Sequence, residues 1–302
     1  MRTVYLGTSS FAATVLRRLA DSPHRPLLVV TPPDRPRGRG RRTLPPPVAQ
    51  AARELGLELL QADSVSASPA LERIRAAGPE VAAVCAFGQL IRDPLLSELK
   101  MLNVHPSLLP RWRGAAPIER AIMAGDTRTG VSVMRVTEGL DSGPVALREE
   151  VSIGPEEDFG ALSGRLAELG GEMLVRALAL EGADRLELED QDDDGAATYA
   201  EKIDPSERRL DPSRPAKDLA RTVRALTPHV GAYLQDCDGR RLGVRRARPL
   251  DAGPPAGELR VQEGELLVGC ADGALRLEVV QPEGGRPMPA DSYLRGHPVP
   301  KL

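Results

Sequence analysis

"RTVYLGTSSFAATVLRRLADSPHRPLLVVT", residues 2–31, decides the fold class. Two short apolar runs, "RTVYLG" and "PLLVVT", read as strands. Between them "TSSFAATVLRRLADS" reads as a helix capped by Ser9 or Ser10. The alternation continues: "PVAQAARELG" is helical, and "EVAAVCAFG" and "MLNVH" are strands. A helix around "APIERAIMAGD" and the strand "TGVSVMRVT" follow. Strands alternating with helices predict an α/β domain with a mostly parallel sheet. The first turn reads "GTSSF" and lacks GxGxxG, which argues against a nicotinamide site there.

After Glu156, apolar residues recur at Leu162, Leu166, Leu169 and Met173, in steps of four, three and four. That spacing marks one face of a long helix reaching about Leu180. "LEDQDDDGAATYA", acidic and then small, reads as a linker. Past about Asp204 the texture changes to short strands, "RRLGVRRARPL", "GELRVQ", "ELLVGCADG" and "ALRLEVVQ", separated by turn pairs such as Asp238-Gly239 and Asp272-Gly273. One helical segment, "PAKDLARTVRAL", precedes them. The expected architecture is a Rossmann-like, mostly parallel sheet with helices over 1–188, a linker over 189–206 and a small OB-like β-barrel over 207–302.

A chain of 302 residues is too long for one small core, which agrees with two domains. Cys85, Cys237 and Cys270 lie far apart with no CxxC pair, so a disulfide scaffold or zinc ribbon is not expected. No run of about 18 apolar residues occurs, and the N-terminus lacks a basic region followed by an apolar one. The expectation is a cytoplasmic protein, monomeric because no exposed apolar stripe is evident. The net charge of −3 says nothing about nucleic acid until its distribution is examined. Between Pro33 and Ala49 five arginines (Arg35, Arg37, Arg39, Arg41, Arg42) face a single acid, Asp34. Glycines and prolines in that stretch rule out a helix. A second basic stretch runs from Arg208 to Arg248.

The candidate site lies in "MLNVHPSLLPRWRG", residues 101–114. Residues two apart in a strand share a face, so Asn103 and His105 point together while Leu102 and Val104 point the other way. Pro106 ends the ladder and leaves the pair at the C-terminal end of the strand. Ligands of open α/β sheets bind just outside such ends. An Asn amide can donate to a developing oxyanion, and an imidazole can donate or move a proton there. Taken alone, the pair reads equally well as structural, satisfied by backbone. Asp141, in the Gly-flanked loop "VTEGLDSGPV", is turn chemistry by itself, but beside His105 it would hold the ring and favour its charged form. Phe87 and Gly88 in "AFGQL" end another strand and read equally as core or as ligand lining.

"LNVHPSLLPRWRGAAPIERAIMAGDTRTGVSVMRVTEGLDSGPV" resembles the catalytic region of the formyltransferases that use 10-formyltetrahydrofolate. The resemblance implies that Asn103, His105 and Asp141 are the catalytic Asn, His and Asp. It implies that Ser107, Leu108, Leu109 and Pro110 form the folate-site signature, with Phe87 and Gly88 near the pteridine, and that no metal is needed. "TPPDRPRGRGRRTLPPPV" looks like the inserted basic loop of the branch acting on methionyl-initiator-tRNA, and "AEKIDPSERRLDPSRPA" and "ALRLEVVQPEGG" look like that branch's C-terminal domain. Arg35, Arg37, Arg39, Arg41 and Arg42 are then expected to contact tRNA. A sugar-nucleotide N-formyltransferase is the alternative, since it would use the same three residues without the arginine loop. His229 and Val230 depart from the pattern, standing where an aromatic-containing turn is expected.

Overall fold

The computed structural model describes residues 1–37, 42–191 and 195–302. The chain opens with β1 (Thr3–Gly7), α1 (Ser10–Ala20) and β2 (Leu28–Thr31). Every residue of β1 and β2 is buried, as a parallel strand covered on both faces requires. Ser9 caps α1: its hydroxyl accepts from the Ala12 N–H at 3.2 Å. Then follow β3 (Arg35–Arg37), β4 (Arg42–Leu44), α2 (Pro47–Glu54), β5 (Leu59–Gln61), α3 (Ser68–Ala76) and β6 (Val81–Cys85). Next come α4 (Leu95–Glu98), β7 (Lys100–His105), β8 (Arg113–Gly114), α5 (Pro117–Ala124), β9 (Arg128–Arg135), β10 (Val145–Ser152), the long helix α6 (Phe159–Gly182) and β11 (Tyr199–Ala200).

Seven strands form one sheet in the order β10-β9-β7-β6-β1-β2-β5. The strands from β7 to β5 are parallel, and β9 runs antiparallel to β7. The chain moves outward from β1 through β2 to β5, then crosses back to β6 and β7 on the other side. The strand order therefore reverses between β1 and β6, where α/β sheets bind ligands. A hydrogen bond from the Thr8 hydroxyl to the Phe87 carbonyl ties the two loops at that point.

α6 comes unusually close to β7. A Cβ on Gly170 would stand 2.7 Å from Val104 Cγ1, and one on Gly171 would stand 2.7 Å from Arg18 Cβ. Both separations are shorter than van der Waals contact, so Gly170 sets the approach of α6 to β7 and Gly171 its approach to α1.

Glu181, near the end of α6, is buried and receives Lys100 Nζ and Arg135 Nη2, each at 2.9 Å. Burial alone pushes its carboxyl pKa upward, but the hydrogen bonds from Lys100 and Arg135 outweigh burial and hold it below the usual glutamate value. A depressed folded-state pKa gives stability that is present above the unfolded value of about 4.3 and lost as pH falls through the folded one. Glu181→Gln is therefore expected to cost about 1–3 kcal/mol near pH 7. In chemical denaturation, the gap between the two proteins should close as pH drops below about 4.

Compact packing divides the chain into two units. One comprises Met1–Gly114, Thr129–Val151 and Ser163–Tyr199, and the other comprises Ala115–Arg128, Ser152–Leu162 and Ala200–Leu302. The second unit contains a 3₁₀ turn (Pro205–Arg208), α7 (Ala216–Leu226), β12 (Ala232–Gln235), β13 (Arg241–Leu250), β14 (Leu259–Gln262), β15 (Glu265–Cys270), β16 (Gly273–Gln281), β17 (Met288–Pro289) and α8 (Ala290–Gly296). Its sheet is antiparallel in the order β12-β13-β16-β15-β14, with β17 paired to β16. Leu219, Val223 and Leu226 of α7 join Val244, Leu266, Leu275 and Val280 of the sheet in one core. Register shifts between Val244 and Ala247 kink β13, as bulges do where a sheet must curve. Among the described residues, no helix is long and apolar enough to cross a membrane.

Candidate active site

β7 is locked between β6 and β9, with Asn103 opposite Val84 and Met134, and His105 opposite Ser132. His105 is 4% exposed. Its Nε2 lies 2.8 Å from the Trp112 carbonyl. A carbonyl can only accept, so Nε2 carries the proton and donates. That leaves Nδ1 facing Asp141 Oδ2 at 3.6 Å. The same Oδ2 accepts from the Gly114 N–H at 2.9 Å. The fold thus brings the three sequence-read residues to one end of the sheet: Asn103 and His105 share a face of β7, and Asp141 reaches the ring from the β9–β10 loop. Among the described residues, the Asn103 amide has no side-chain hydrogen-bond partner, so its donors are uncommitted.

The segment after β7 is held by bonds that use main-chain atoms. Ser107 Oγ donates to the Arg111 carbonyl at 2.6 Å, which closes a tight loop. Ser132 Oγ donates to the Ser107 carbonyl at 2.8 Å and accepts from the Leu109 N–H at 3.2 Å. Trp112 has φ of 61°, the left-handed conformation that turns its carbonyl toward His105. Its N–H donates to Thr198 Oγ1 at 2.9 Å, and the Arg113 N–H donates to the Thr198 carbonyl at 2.9 Å.

In the Ser107–Pro110 run, Ser107 and Leu109 are buried, the latter against Met134 and Val145, while Leu108 and Pro110 are half-buried. Phe87 is 4% exposed and packs with Val4, Leu6 and Val84. Gly88 is exposed, with φ of 73°. Cys85, one strand over, is no nucleophile: burial pushes its thiol up to about 12. Of the basic loop, β3 and β4 form an antiparallel hairpin pairing Arg35 with Leu44 and Arg37 with Arg42. Arg39 and Arg41 lie outside the described residues. Arg35 lies 4.0 Å from Asp63 at the surface, a separation that contributes little energy.

Ser132, Thr198 and the Trp112 carbonyl shape the site without being visible in the sequence. A hydroxyl or a carbonyl has no spacing rule that marks it as a positioning group.

An Asn and a His at a strand's end, with a carboxylate across the ring, form a site suited to acyl-type group transfer. The formyl transferase family model matches residues 1–178, and the model of that family's C-terminal domain matches residues 202–298. The chain belongs to the formyl transferase family. Its relatives within that family include the methionyl-tRNA formyltransferase of Methylococcus capsulatus, 44% identical over 98% of this chain and 97% of the relative. That of Halorhodospira halophila is 44% identical over 98% and 96%. Solved structures share the fold at much lower identity. HypX from Aquifex aeolicus in complex with tetrahydrofolic acid has a TM-score of 0.67 at 18% identity, over 98% of this chain and 48% of that one. An N-formyltransferase from Helicobacter canadensis, in complex with folinic acid and dTDP-3-aminofucose, has a TM-score of 0.67 at 11% identity, over 92% of this chain and 98% of that one.

Proposed function

We propose that this protein transfers the formyl group of 10-formyltetrahydrofolate to the α-amino group of methionyl-initiator-tRNA, in the cytoplasm, as a step toward translation initiation. The observation that carries the acceptor is the extent of the similarity, 44% identity across 98% of the chain to a methionyl-tRNA formyltransferase. The sugar-nucleotide reading draws only on distant folds, such as that at 11% identity.

The α-amine, with an ordinary pKa of about 8, is partly neutral near pH 7 and attacks the formyl carbon. A C–N bond forms and the carbonyl electrons move to oxygen. Asn103 donates to that oxyanion, and His105 donates to it or shuttles a proton at Nδ1. Asp141 holds the ring from its Nδ1 side and receives the amine proton. Collapse re-forms the carbonyl, breaks the bond to N10 and returns a proton to N10, so tetrahydrofolate and formyl-methionyl-tRNA leave with no net proton change. The folate is proposed to lie against Ser107–Pro110 and the Phe87–Gly88 turn, with the arginines of the β3–β4 loop contacting tRNA phosphates. The division into a catalytic part over 1–188, a linker over 189–206 and a tRNA-facing part over 207–302 belongs to the same proposal.

The test offers 10-formyltetrahydrofolate with either methionyl-initiator-tRNA or an amino-sugar nucleotide. Formylation of the tRNA alone is the expected result. Formylation of the sugar alone overturns the reading.

A further inference from the structure

Asp141 sits in a loop with φ of 46° at its own position, the left-handed region that Asp enters more readily than most non-glycine residues. Two carbonyls of that loop, those of Asp141 and Gly143, accept from one group. Gln191 Nε2 donates to the Asp141 carbonyl at 2.9 Å and to the Gly143 carbonyl at 2.7 Å. The other end of the same amide, Oε1, accepts from Arg113 Nε at 3.0 Å and from Arg113 Nη2 at 2.9 Å. Arg113 is 3% exposed and directly follows Trp112, whose carbonyl holds His105. One side chain therefore bridges the segment that orients the imidazole and the loop that carries the carboxylate.

The chemistry at this position is specific. A guanidinium offers only donors and a carbonyl only accepts, so the bridge needs an acceptor at one end and two donors at the other. A primary amide supplies both. Gly143 leaves the loop no slack, because a Cβ there would meet the Arg135 carbonyl at 1.9 Å.

We infer that Gln191 is a positioning residue for formyl transfer: it fixes the Asp141 carboxylate against His105 by holding the Asp141–Gly143 backbone to Arg113. The inference rests on the catalytic reading of His105 and Asp141. Gln191 lies in the acidic, small-residue stretch before β11, where no apolar period or motif draws attention to it.

The decisive variant is Gln191→Glu. It keeps the acceptor for Arg113 and so keeps that side chain satisfied, but it loses both donors to the loop. Steady-state kinetics of Gln191→Glu, Asp141→Ala and the double variant, with thermal unfolding in parallel, separate the roles. The expected result for Gln191→Glu is a drop in kcat of about 10- to 100-fold. KM for the folate should stay within about 2-fold, and the rates are read below the variant's own unfolding midpoint, because two loop carbonyls lose their donor while the Arg113 partner is retained. In the Asp141→Ala background Gln191→Glu should add no further loss, since two residues acting through one group are not additive. Should the new carboxylate lower the unfolding midpoint, Gln191→Met, assayed below its own midpoint, is expected to lose the same factor in kcat. If Asp141→Ala is impaired while Gln191→Glu turns over at the wild-type rate, or multiplies its full loss onto Asp141→Ala, Gln191 is only a structural partner of Arg113 and the inference fails alone. If Asp141→Ala itself turns over normally, the catalytic reading fails and this inference falls with it.

Discussion

His105→Ala lowers formyl transfer by about 10²- to 10³-fold, and Asn103→Ala does the same, the range seen when one preorganised oxyanion donor is removed. The two variants should differ in stability. His105 is buried and donates to the Trp112 carbonyl, so its truncation removes that buried bond and costs about 1–3 kcal/mol. Asn103 gives up no side-chain hydrogen bond among the described residues, so its unfolding midpoint should barely move while its rate collapses. That separation is the informative part. A loss of rate without a loss of stability cannot come from misfolding. Single-turnover formylation at saturating tRNA, with thermal melts of the same preparations, measures both quantities. Near-wild-type turnover in either variant removes that residue from the chemistry.

Replacing Arg39, Arg41 and Arg42 together with alanine weakens tRNA binding and flattens its salt dependence by about two to three units in the log–log slope. The reason is counterion release: each phosphate neutralised by an arginine frees condensed cations, and each lost contact takes about one unit from the slope. The protein as a whole carries −3, so attraction to RNA has to come from local concentrations of positive charge. Five arginines against one acid between Pro33 and Ala49 form one such concentration. Folate affinity should be unchanged, because the proposed folate contacts are near the ends of β6 and β7, and none of the three substituted positions belongs to either strand. Filter binding across about 50–200 mM salt, beside a folate titration of the same proteins, reads both. Equal slopes for wild type and triple variant would take the loop out of tRNA recognition.

The parallel core was legible because its strands are buried on both faces. β1, β2 and β6 are continuous apolar runs, and their ends in sequence lie within three residues of their ends in space. β10 was not legible: "VALREEVS" carries charges on an exposed edge strand, so it presents neither an apolar run nor a clean alternation. β5, three half-buried residues, is too short to show a period. In the site, strand parity was enough to pair Asn103 with His105, since it depends only on counting by two. The clamp around them was invisible for the opposite reason. The Trp112 and Ser107 carbonyls belong to the backbone, and Ser132, Thr198 and Gln191 are residue types found on any surface. Their roles come from long-range proximity, such as the 78 positions between Arg113 and Gln191, which no local pattern encodes.

The close approach of α6 to β7 bears on how this enzyme can be engineered. Replacing glycines in the middle of a helix with alanine is a standard route to heat resistance, gaining about 1 kcal/mol per site from the unfolded chain. At Gly170 the rule inverts. The added methyl would meet Val104, the neighbour of both Asn103 and His105 along β7. To relieve the overlap the strand must shift, and the shift is delivered to the two side chains on its far face. A protein selected for a higher melting temperature through this helix would trade it for a misaligned site, so heat-hardened versions should be sought elsewhere, on helix faces that do not touch β7.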